Sequence, residues 1–211
     1  MTRICLIRHG ETDWNTARRL QGHIDTPLNA TGQRQAQATA ALLAGHGFQA
    51  LYTSDLLRAR QTAAAAGTAC GLQPQPEPRL RERHYGLFQG LTYDEAAVRH
   101  PEEYRRFHVR DPHYAFTGGG ESLTAFARRI GAALEDLARR HAGAAILVVT
   151  HGGVLDIAHR LASRRPLESP RDFPIPNAAL NWLEFTEAGW QVLEWARQEH
   201  LQGARDELPN A

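Results

Sequence analysis

The chain has 211 residues, which is enough for one well-buried core, so we expect a single domain over residues 1–211. A formal net charge of +1 and the lack of a long apolar run argue against nucleic-acid and membrane partners. All 24 residues of the Lys+Arg total are arginine, which excludes Schiff-base enzymes and the Walker A lysine. Two cysteines and an N-terminus without a signal-like apolar region predict a cytoplasmic protein with reduced thiols.

The apolar pattern predicts buried strands with continuous apolar residues, which alternate with helices along the chain. The predicted elements are, in chain order, strand Arg3–Ile7, helix Thr31–Gly45, strand Phe48–Ser54, helix Leu56–Gly71, helix Ser122–His141, strand Ala144–Val149, helix Gly153–Ala162 and a C-terminal antiparallel hairpin. Pro74, Pro76 and Pro78 indicate an extended connection after the second helix, and residues 197–211 are interpreted as a polar tail. This alternation predicts an α/β protein with a parallel sheet covered on both faces.

Two short motifs follow predicted strands at the point where each strand ends. Arg8, His9 and Gly10 follow the first strand in LIRHGET, and His151 follows the strand in ILVVTHGG. Ligands of parallel sheets bind outside the carboxyl ends of the strands. We therefore expect His9 and His151 to lie close together, although they are far apart in the sequence.

These histidines have several interpretations. Either one alone could be a packed core residue or a helix cap. A metal site is disfavoured because Arg8 would repel a cation beside His9, and the sequence has no HExxH or HxH spacing. An anion fits better, since a guanidinium matches phosphate oxygens, one imidazole can attack phosphorus and the other can donate to the equatorial oxygens. The pattern predicts phosphoryl transfer without a metal or an organic cofactor.

Further segments match a known family in order along the chain. They are RHGETDWN (8–15), LQGHIDTPLNATGQRQA (20–36), YTSDLLRARQTA (52–63), LRERHYGLFQGLT (80–92), GGGES (118–122) and VVTHGGV (148–154). The set closely resembles the histidine phosphatase superfamily, whose branches include cofactor-dependent phosphoglycerate mutases and many small-molecule phosphatases. The resemblance implies a phosphoglycerate mutase-like fold, a three-layer α/β/α sandwich with a mostly parallel central sheet and an active site at the strand ends.

The resemblance also implies catalytic roles for particular residues. His9 resembles the nucleophile that forms a phosphohistidine, and it must be neutral at the attacking nitrogen. Glu82 resembles the general acid that protonates the leaving oxygen and later acts as the base for water. Arg8, Arg58 and His151 resemble the phosphate-binding groups. Alternative interpretations are a solvated helix arginine for Arg58 and a salt bridge with Arg81 or Arg83 for Glu82.

Weaker matches concern the rim of the expected pocket. Asn15 resembles a further phosphate donor, with an ordinary loop asparagine as the alternative. Gln21 and Gly22 are placed by motif in a loop expected to line the pocket. Arg83 and Tyr85 are expected either to contact the substrate or to pack; in the mutase branch such residues contact a carboxylated substrate.

The length of one segment favours a phosphatase over a mutase. Residues 91–117 occupy the place of the longer segment that covers the pocket in mutases and excludes water. A short cover admits water as the phosphoryl acceptor, so we expect hydrolysis of a small phosphorylated metabolite. The alternatives are a phosphoglycerate mutase primed by a bisphosphorylated compound, a phosphoprotein phosphatase and a non-catalytic binding protein. The sequence leaves a homodimer open.

Overall fold

The computed structural model describes residues 1–201 and contains one six-stranded sheet with helices on both sides. The strands are β1 (Thr2–Arg8), β2 (Ala50–Thr53), β3 (Pro74–Pro76), β4 (Ala145–Thr150), β5 (Leu180–Thr186) and β6 (Gly189–Arg197). The α-helices are α1 (Asp13–Thr16), α2 (Ala30–Leu43), α3 (Leu57–Cys70), α4 (Tyr93–Arg99), α5 (Pro101–His108), α6 (Leu123–Arg140) and α7 (Gly152–Ser163). Short 3-10 helices occupy Pro78–Leu80 and Gly86–Phe88.

The strand order places the ends of β1 and β4 next to each other. The order across the sheet is β3-β2-β4-β1-β5-β6, with parallel pairing from β3 to β1 and antiparallel pairing of β5 and β6. Arg8 lies opposite Thr150 in the β1–β4 register. His9 and His151 therefore leave the sheet side by side at its carboxyl edge.

Both faces of the sheet are buried, as the continuous apolar strands predict. Ile4 and Leu6 of β1 pack with α6 and α7, whereas Cys5 and Ile7 pack on the opposite face with α2 and α3. Side chains of a strand alternate between faces, so one short strand contributes to two cores. Each fully buried aliphatic side chain contributes roughly 1.5–3 kcal/mol to stability. The predicted three-layer α/β/α sandwich with a mostly parallel sheet is confirmed.

Residues 91–117 form a small unit with its own aromatic core. The segment contains α4 and α5, and its ends are tied down by isolated bridges between Arg19 and Thr92 and between Ala115 and Ser122. Its side chains pack around Phe88 in a separate hydrophobic cluster with Leu20, Tyr93, Ala96, Phe107, Tyr114 and Phe116. This segment is thus held by aromatic packing and by a buried ion pair between Arg110 and Asp156 of α7, and not by the central sheet.

The prediction for the proline-rich connection was incomplete. Residues 74–76 are extended, but they also form β3, which pairs in parallel with β2 at the edge of the sheet. Proline lacks the backbone N–H, so a strand containing Pro74 and Pro76 is tolerated only where one side of the strand needs no partner. The edge position supplies this condition.

The predicted C-terminal tail overlaps the last strand. Arg197 is the final residue of β6, and residues 202–211 of the predicted tail lie outside the described residues. Among residues 1–201, no helix combines the length and the apolar character that a membrane crossing requires.

Candidate active site

His9 directly follows β1 and is almost completely buried, with 3% of its surface exposed. Its Nδ1 lies 2.8 Å from the Gly10 carbonyl oxygen, which can only accept, so Nδ1 carries the proton and Nε2 keeps a lone pair. Burial, followed by the nearby Arg58 and Arg8 guanidinium groups, holds the pKa of His9 well below its ordinary value of 6.5. The imidazole is therefore neutral at physiological pH, with Nε2 available as a nucleophile.

Gly10 is required by the close approach of two backbone segments behind His9. A Cβ atom at Gly10 would collide with the carbonyl oxygen of Gly32, and one at Gly32 would collide with the backbone of Glu11. The glycine of the RHG motif thus lets the beginning of α2 pack directly against the loop after β1. This contact fixes the backbone from which the His9 side chain projects.

Two buried guanidinium groups flank the imidazole. Arg8 donates from Nη1 to the Ile175 carbonyl oxygen at 2.8 Å. Arg58, in the first turn of α3, donates to the carbonyl oxygens of Gly22 and Ile24, and its Nε lies 3.3 Å from Nε2 of His9. Burial lowers the pKa of Arg58 to about 10, which still leaves it a cation at neutral pH. Arg58 is therefore not a solvated helix residue.

His151 directly follows β4, and its ring centroid lies 5.2 Å from that of His9. Its Nε2 lies 2.7 Å from the hydroxyl oxygen of Ser54, which also accepts a long contact from the backbone N–H of Leu56. In the tautomer in which the hydroxyl donates to Nε2, Nδ1 carries the ring proton. Nδ1 is buried and has no hydrogen-bond partner among the described residues. It is a donor suited to a ligand oxygen.

Glu82 lines the same pocket and is held by two backbone groups. Its Oε1 accepts from the N–H of Arg83 at 2.8 Å, and its Oε2 accepts from the N–H of Gly153 at 2.9 Å. A Cβ atom at Gly153 would collide with Oε1, so α7 approaches the carboxyl group closely only because this residue is glycine. Glu82 makes no salt bridge with Arg81, which pairs with Asp55 instead.

The arrangement is suited to a tetrahedral oxyanion next to a neutral nucleophile. Arg8, Arg58 and the Nδ1–H of His151 supply donors around Nε2 of His9, and the carboxyl group of Glu82 lines the same pocket. Among residues 1–201, no three His, Cys, Asp or Glu side chains are grouped as metal ligands.

Comparison with known proteins identifies the family from most of the chain. Residues 4–198 match the histidine phosphatase superfamily (branch 1). The chain belongs to this superfamily. The family predicted from the ordered motifs is thus confirmed, and so is the prediction of an enzyme of the phosphatase class.

Individual members of the histidine phosphatase superfamily resemble the chain over nearly its full length. The metal-independent phosphoserine phosphatase of Arabidopsis thaliana is 39% identical over 203 residues, which cover 95% of this chain and 84% of the relative. Phosphoglycerate mutase-like protein 4 of the same plant is 38% identical over 204 residues, covering 94% and 86%. The structure of Bacillus stearothermophilus YhfR is similar with a TM-score of 0.87 at 29% identity, covering 96% of this chain and 100% of that chain.

Four of the five residues predicted from weaker matches line the pocket of this histidine phosphatase. Asn15, Gln21, Gly22 and Tyr85 line the pocket together with His9. The side-chain oxygen of Asn15 accepts from the backbone N–H and the hydroxyl of Thr12, three residues earlier. The Gly22 carbonyl holds Arg58.

Arg83 differs from the other predicted residues. It lines an adjacent cavity, which it shares with Tyr85, Arg110 and Asp156. Its Nε and Nη2 donate to the carbonyl oxygens of Glu121 and Tyr114, and the guanidinium stacks over the ring of Phe116. Arg83 thus packs and also reaches a cavity that borders the site through Tyr85.

Sequence reasoning missed several residues that complete the site of this histidine phosphatase. Ser54 orients His151, and the amide of Asn177 donates to the His9 carbonyl oxygen at 2.9 Å. Arg18, Arg19 and Tyr93 line the mouth of the pocket. Ser54 directly follows β2 as His9 follows β1, so its position at a strand end was a usable signal. The other residues lie in loops or in α4 and carry no such signal.

Proposed function

We propose that the protein is a metal-independent phosphatase that hydrolyses small phosphomonoesters through a phosphohistidine on His9. The observation that carries this proposal is the neutral His9 imidazole, whose Nδ1–H is bound by the Gly10 carbonyl and whose Nε2 lies beside Arg58. A nucleophile of this kind needs cationic donors around the phosphoryl oxygens, and the Nδ1–H of His151 adds a neutral donor.

In the first step, the Nε2 lone pair attacks phosphorus and the bond to the ester oxygen breaks. Glu82, in its protonated form, gives its proton to this oxygen, so the leaving group departs as a neutral alcohol. Charge on the three equatorial oxygens is stabilised by Arg8, Arg58, His151 and the amide of Asn15. The long contact between Arg58 Nε and His9 Nε2 is exchanged for a contact with the phosphoryl group.

In the second step, the Glu82 carboxylate takes a proton from water as its oxygen attacks the phosphohistidine. The nitrogen–phosphorus bond breaks, inorganic phosphate leaves, and both His9 and protonated Glu82 are regenerated. The two backbone donors to Glu82 keep its carboxyl group oriented in both steps. Each carboxyl oxygen has a further lone pair or a hydroxyl proton for the substrate.

The charges beyond the phosphate-binding groups favour a leaving group that carries a carboxylate. Arg19 is neutralised by an ion pair with Glu95 at the mouth of the pocket. Arg18 lines the same mouth, and its guanidinium makes no hydrogen bond or ion pair with the residues that the structure describes. The hydroxyl of Tyr85 likewise has no partner within residues 1–201. A small phosphorylated carboxylic acid, such as phosphoserine, would satisfy these donors.

The experiment is phosphate release from p-nitrophenyl phosphate, phosphoserine and glycerol phosphate in the presence of EDTA. We expect turnover by the wild-type protein and a loss of at least roughly a thousandfold for His9→Ala. Acid-labile, base-stable labelling of the wild type by ³²P-phosphoester, absent in His9→Ala, would identify the phosphohistidine. Wild-type turnover that needs a divalent metal, or that survives in His9→Ala, would refute the proposal.

The mutase alternative predicts a different result in the same assays. A mutase would isomerise 3-phosphoglycerate after priming with a bisphosphorylated compound and would release phosphate slowly. The cover formed by α4 and α5 is short, which favours access of water to the phosphohistidine. Arg105 and Arg106 of α5 pair with Glu102 and Asp111 and do not line the pocket. Release from phosphopeptides alone would indicate a phosphoprotein phosphatase, and binding without turnover would indicate a non-catalytic member.

A further inference from the structure

Arg129 of α6 is turned towards the interior of the protein and not into solvent. Arg128 is exposed, whereas the side chain of Arg129 is 22% exposed and turns towards the segment that carries Glu82. This segment runs from the 3-10 helix Pro78–Leu80 to Glu82, and beyond the 3-10 helix it belongs to no helix or strand. Its carbonyl groups therefore need partners from side chains.

The guanidinium of Arg129 makes a complete set of hydrogen bonds. Its Nη1 donates to the carbonyl oxygens of Arg79 at 2.7 Å and Arg81 at 2.9 Å. Its Nη2 donates to the Glu82 carbonyl oxygen at 3.3 Å and to Oε2 of Glu121 at 2.7 Å, and its Nε donates to Oε1 of Glu121 at 2.8 Å. A guanidinium has about five N–H donors in a rigid plane, and all are used here.

A second side chain holds the same carbonyl group from another direction. His23 donates from Nε2 to the Glu82 carbonyl oxygen at 2.8 Å, while its own backbone N–H donates to the side chain of Gln89. The Glu82 carbonyl thus accepts from both His23 and Arg129. With the N–H groups of Arg83 and Gly153 on its carboxyl oxygens, the residue is fixed at its backbone and at its side chain.

Glu121 connects this arrangement to the glycine-rich turn before α6. It receives two donors from Arg129 and also accepts from the backbone N–H of His84 at 3.0 Å. The carboxylate therefore holds Arg129 in the plane in which it meets the carbonyl groups. Lysine could keep the ion pair, but a single ammonium group has too few donors to reach all these oxygens.

We propose that Arg129 is a positioning residue for the general acid, which fixes the backbone at Glu82 so that its carboxyl group meets the leaving oxygen of the substrate. The inference rests on the proposed role of Glu82 as general acid. Arg129 itself touches neither the substrate nor the reacting atoms. A shift of about 1 Å in a catalytic group can cost roughly a hundredfold in rate.

The test uses the different need of two leaving groups for a proton. An alkyl phosphate such as phosphoserine leaves as an alkoxide unless it is protonated, whereas p-nitrophenolate is stable as an anion. For Arg129→Gln, kcat/KM for phosphoserine should fall by roughly 30- to 100-fold, and kcat/KM for p-nitrophenyl phosphate by less than about threefold. The parameter kcat/KM reports the first phosphoryl transfer, so the second step does not obscure the comparison.

Three further variants make the result decisive. Arg128→Gln, on the exposed face of the same helix, should leave both values unchanged. Arg129→Lys keeps the charge and is expected to fold even where the glutamine variant does not. Its kcat/KM should also fall more for phosphoserine than for p-nitrophenyl phosphate, but by a smaller factor. Glu82→Gln should show the largest difference between the two substrates. An equal loss on both substrates in the Arg129 variants, or no loss on either, overturns the inference. If Glu82→Gln shows no preference, the proposed acid itself fails.

Discussion

The two ends of the pocket are built in different ways. At the end that we propose binds the phosphate, called the phosphate end, His9 and His151 follow neighbouring strands, and Arg58 lies in the first turn of α3. At the end that we propose receives the leaving group, called the leaving-group end, the pocket is lined by Arg18 in the loop after α1 and by Tyr93 at the beginning of α4. At the first end, the register of the sheet places the two histidines and the long helix α3 carries Arg58. At the second end, the side chains lie on a loop and on a short helix.

The difference in construction bears on which part of the pocket controls the reaction and which part controls the choice of substrate. The β1–β4 pairing and the Gly10–Gly32 contact leave little freedom to the backbone around His9. The segment 91–117 rests instead on a cluster of aromatic side chains, where a change of one ring alters the shape of the pocket without disturbing the sheet. We therefore infer that substitutions at the phosphate end affect all substrates alike, whereas those at the leaving-group end change the preference among them.

The largest effect is expected from Arg58→Gln. Removal of this guanidinium takes a buried donor from every phosphoryl transition state, so kcat/KM should fall by roughly a hundredfold to a thousandfold for phosphoserine and p-nitrophenyl phosphate equally. Steady-state kinetics on both substrates gives the ratio of wild-type to variant kcat/KM for each of them. Arg60→Gln, on the exposed side of α3, is the matched control and should retain full activity. A strongly unequal loss would contradict the division of the pocket into two ends.

An effect on stability follows from the two buried histidines. Burial is the main cause that holds the pKa values of both His9 and His151 well below 6.5. The unfolded chain then binds protons that the folded chain does not, so the free energy of unfolding falls as the pH drops below about 6.5. Each such group contributes a slope of at most about 1.4 kcal/mol per pH unit.

Urea unfolding at about pH 7.5 and pH 5.5 checks this expectation. In His9→Asn one of the two groups is absent, so the loss of stability between the two pH values should be smaller than in the wild type. His113→Asn, which replaces an exposed histidine, should show the wild-type loss. Equal losses in wild type and His9→Asn would show that His9 does not resist protonation in the folded protein.

The phosphate end was largely predictable from the sequence. Continuous apolar strands such as Ala144–Val149 identify a buried parallel sheet, and the carboxyl ends of such strands meet at one edge. This rule brings His9 and His151 together without any knowledge of the helices. The ordered motifs then identify the family, which the match over residues 4–198 confirms.

Residues that act through backbone carbonyl groups could not be found in this way. Arg129 lies beside Arg128 on α6, and no periodicity distinguishes a guanidinium that binds the carbonyl groups of residues 79, 81 and 82 from one in solvent. His23 binds the same Glu82 carbonyl from a loop whose path depends on tertiary packing. The partners of both side chains are atoms that every residue possesses, so the sequence carries no trace of the pairing.

The smallest effect is expected at the mouth of the pocket, from Arg18→Gln. Arg18 is exposed and has a positive φ of 52°, and within the described chain its guanidinium has no partner. A solvated cation that meets a carboxylate contributes about 1 kcal/mol or less, so KM for phosphoserine should rise by up to roughly fivefold. KM for p-nitrophenyl phosphate, which has no carboxylate, should not change.

Salt provides the control for this contact. If Arg18 binds a carboxylate, raising the ionic strength should increase the wild-type KM for phosphoserine more than that of Arg18→Gln, because only the wild type has the screened pair. Arg34→Gln, at an exposed arginine of α2 that does not line the pocket, should behave as the wild type does. An unchanged KM in Arg18→Gln would show that Arg18 does not bind the carboxylate of the substrate.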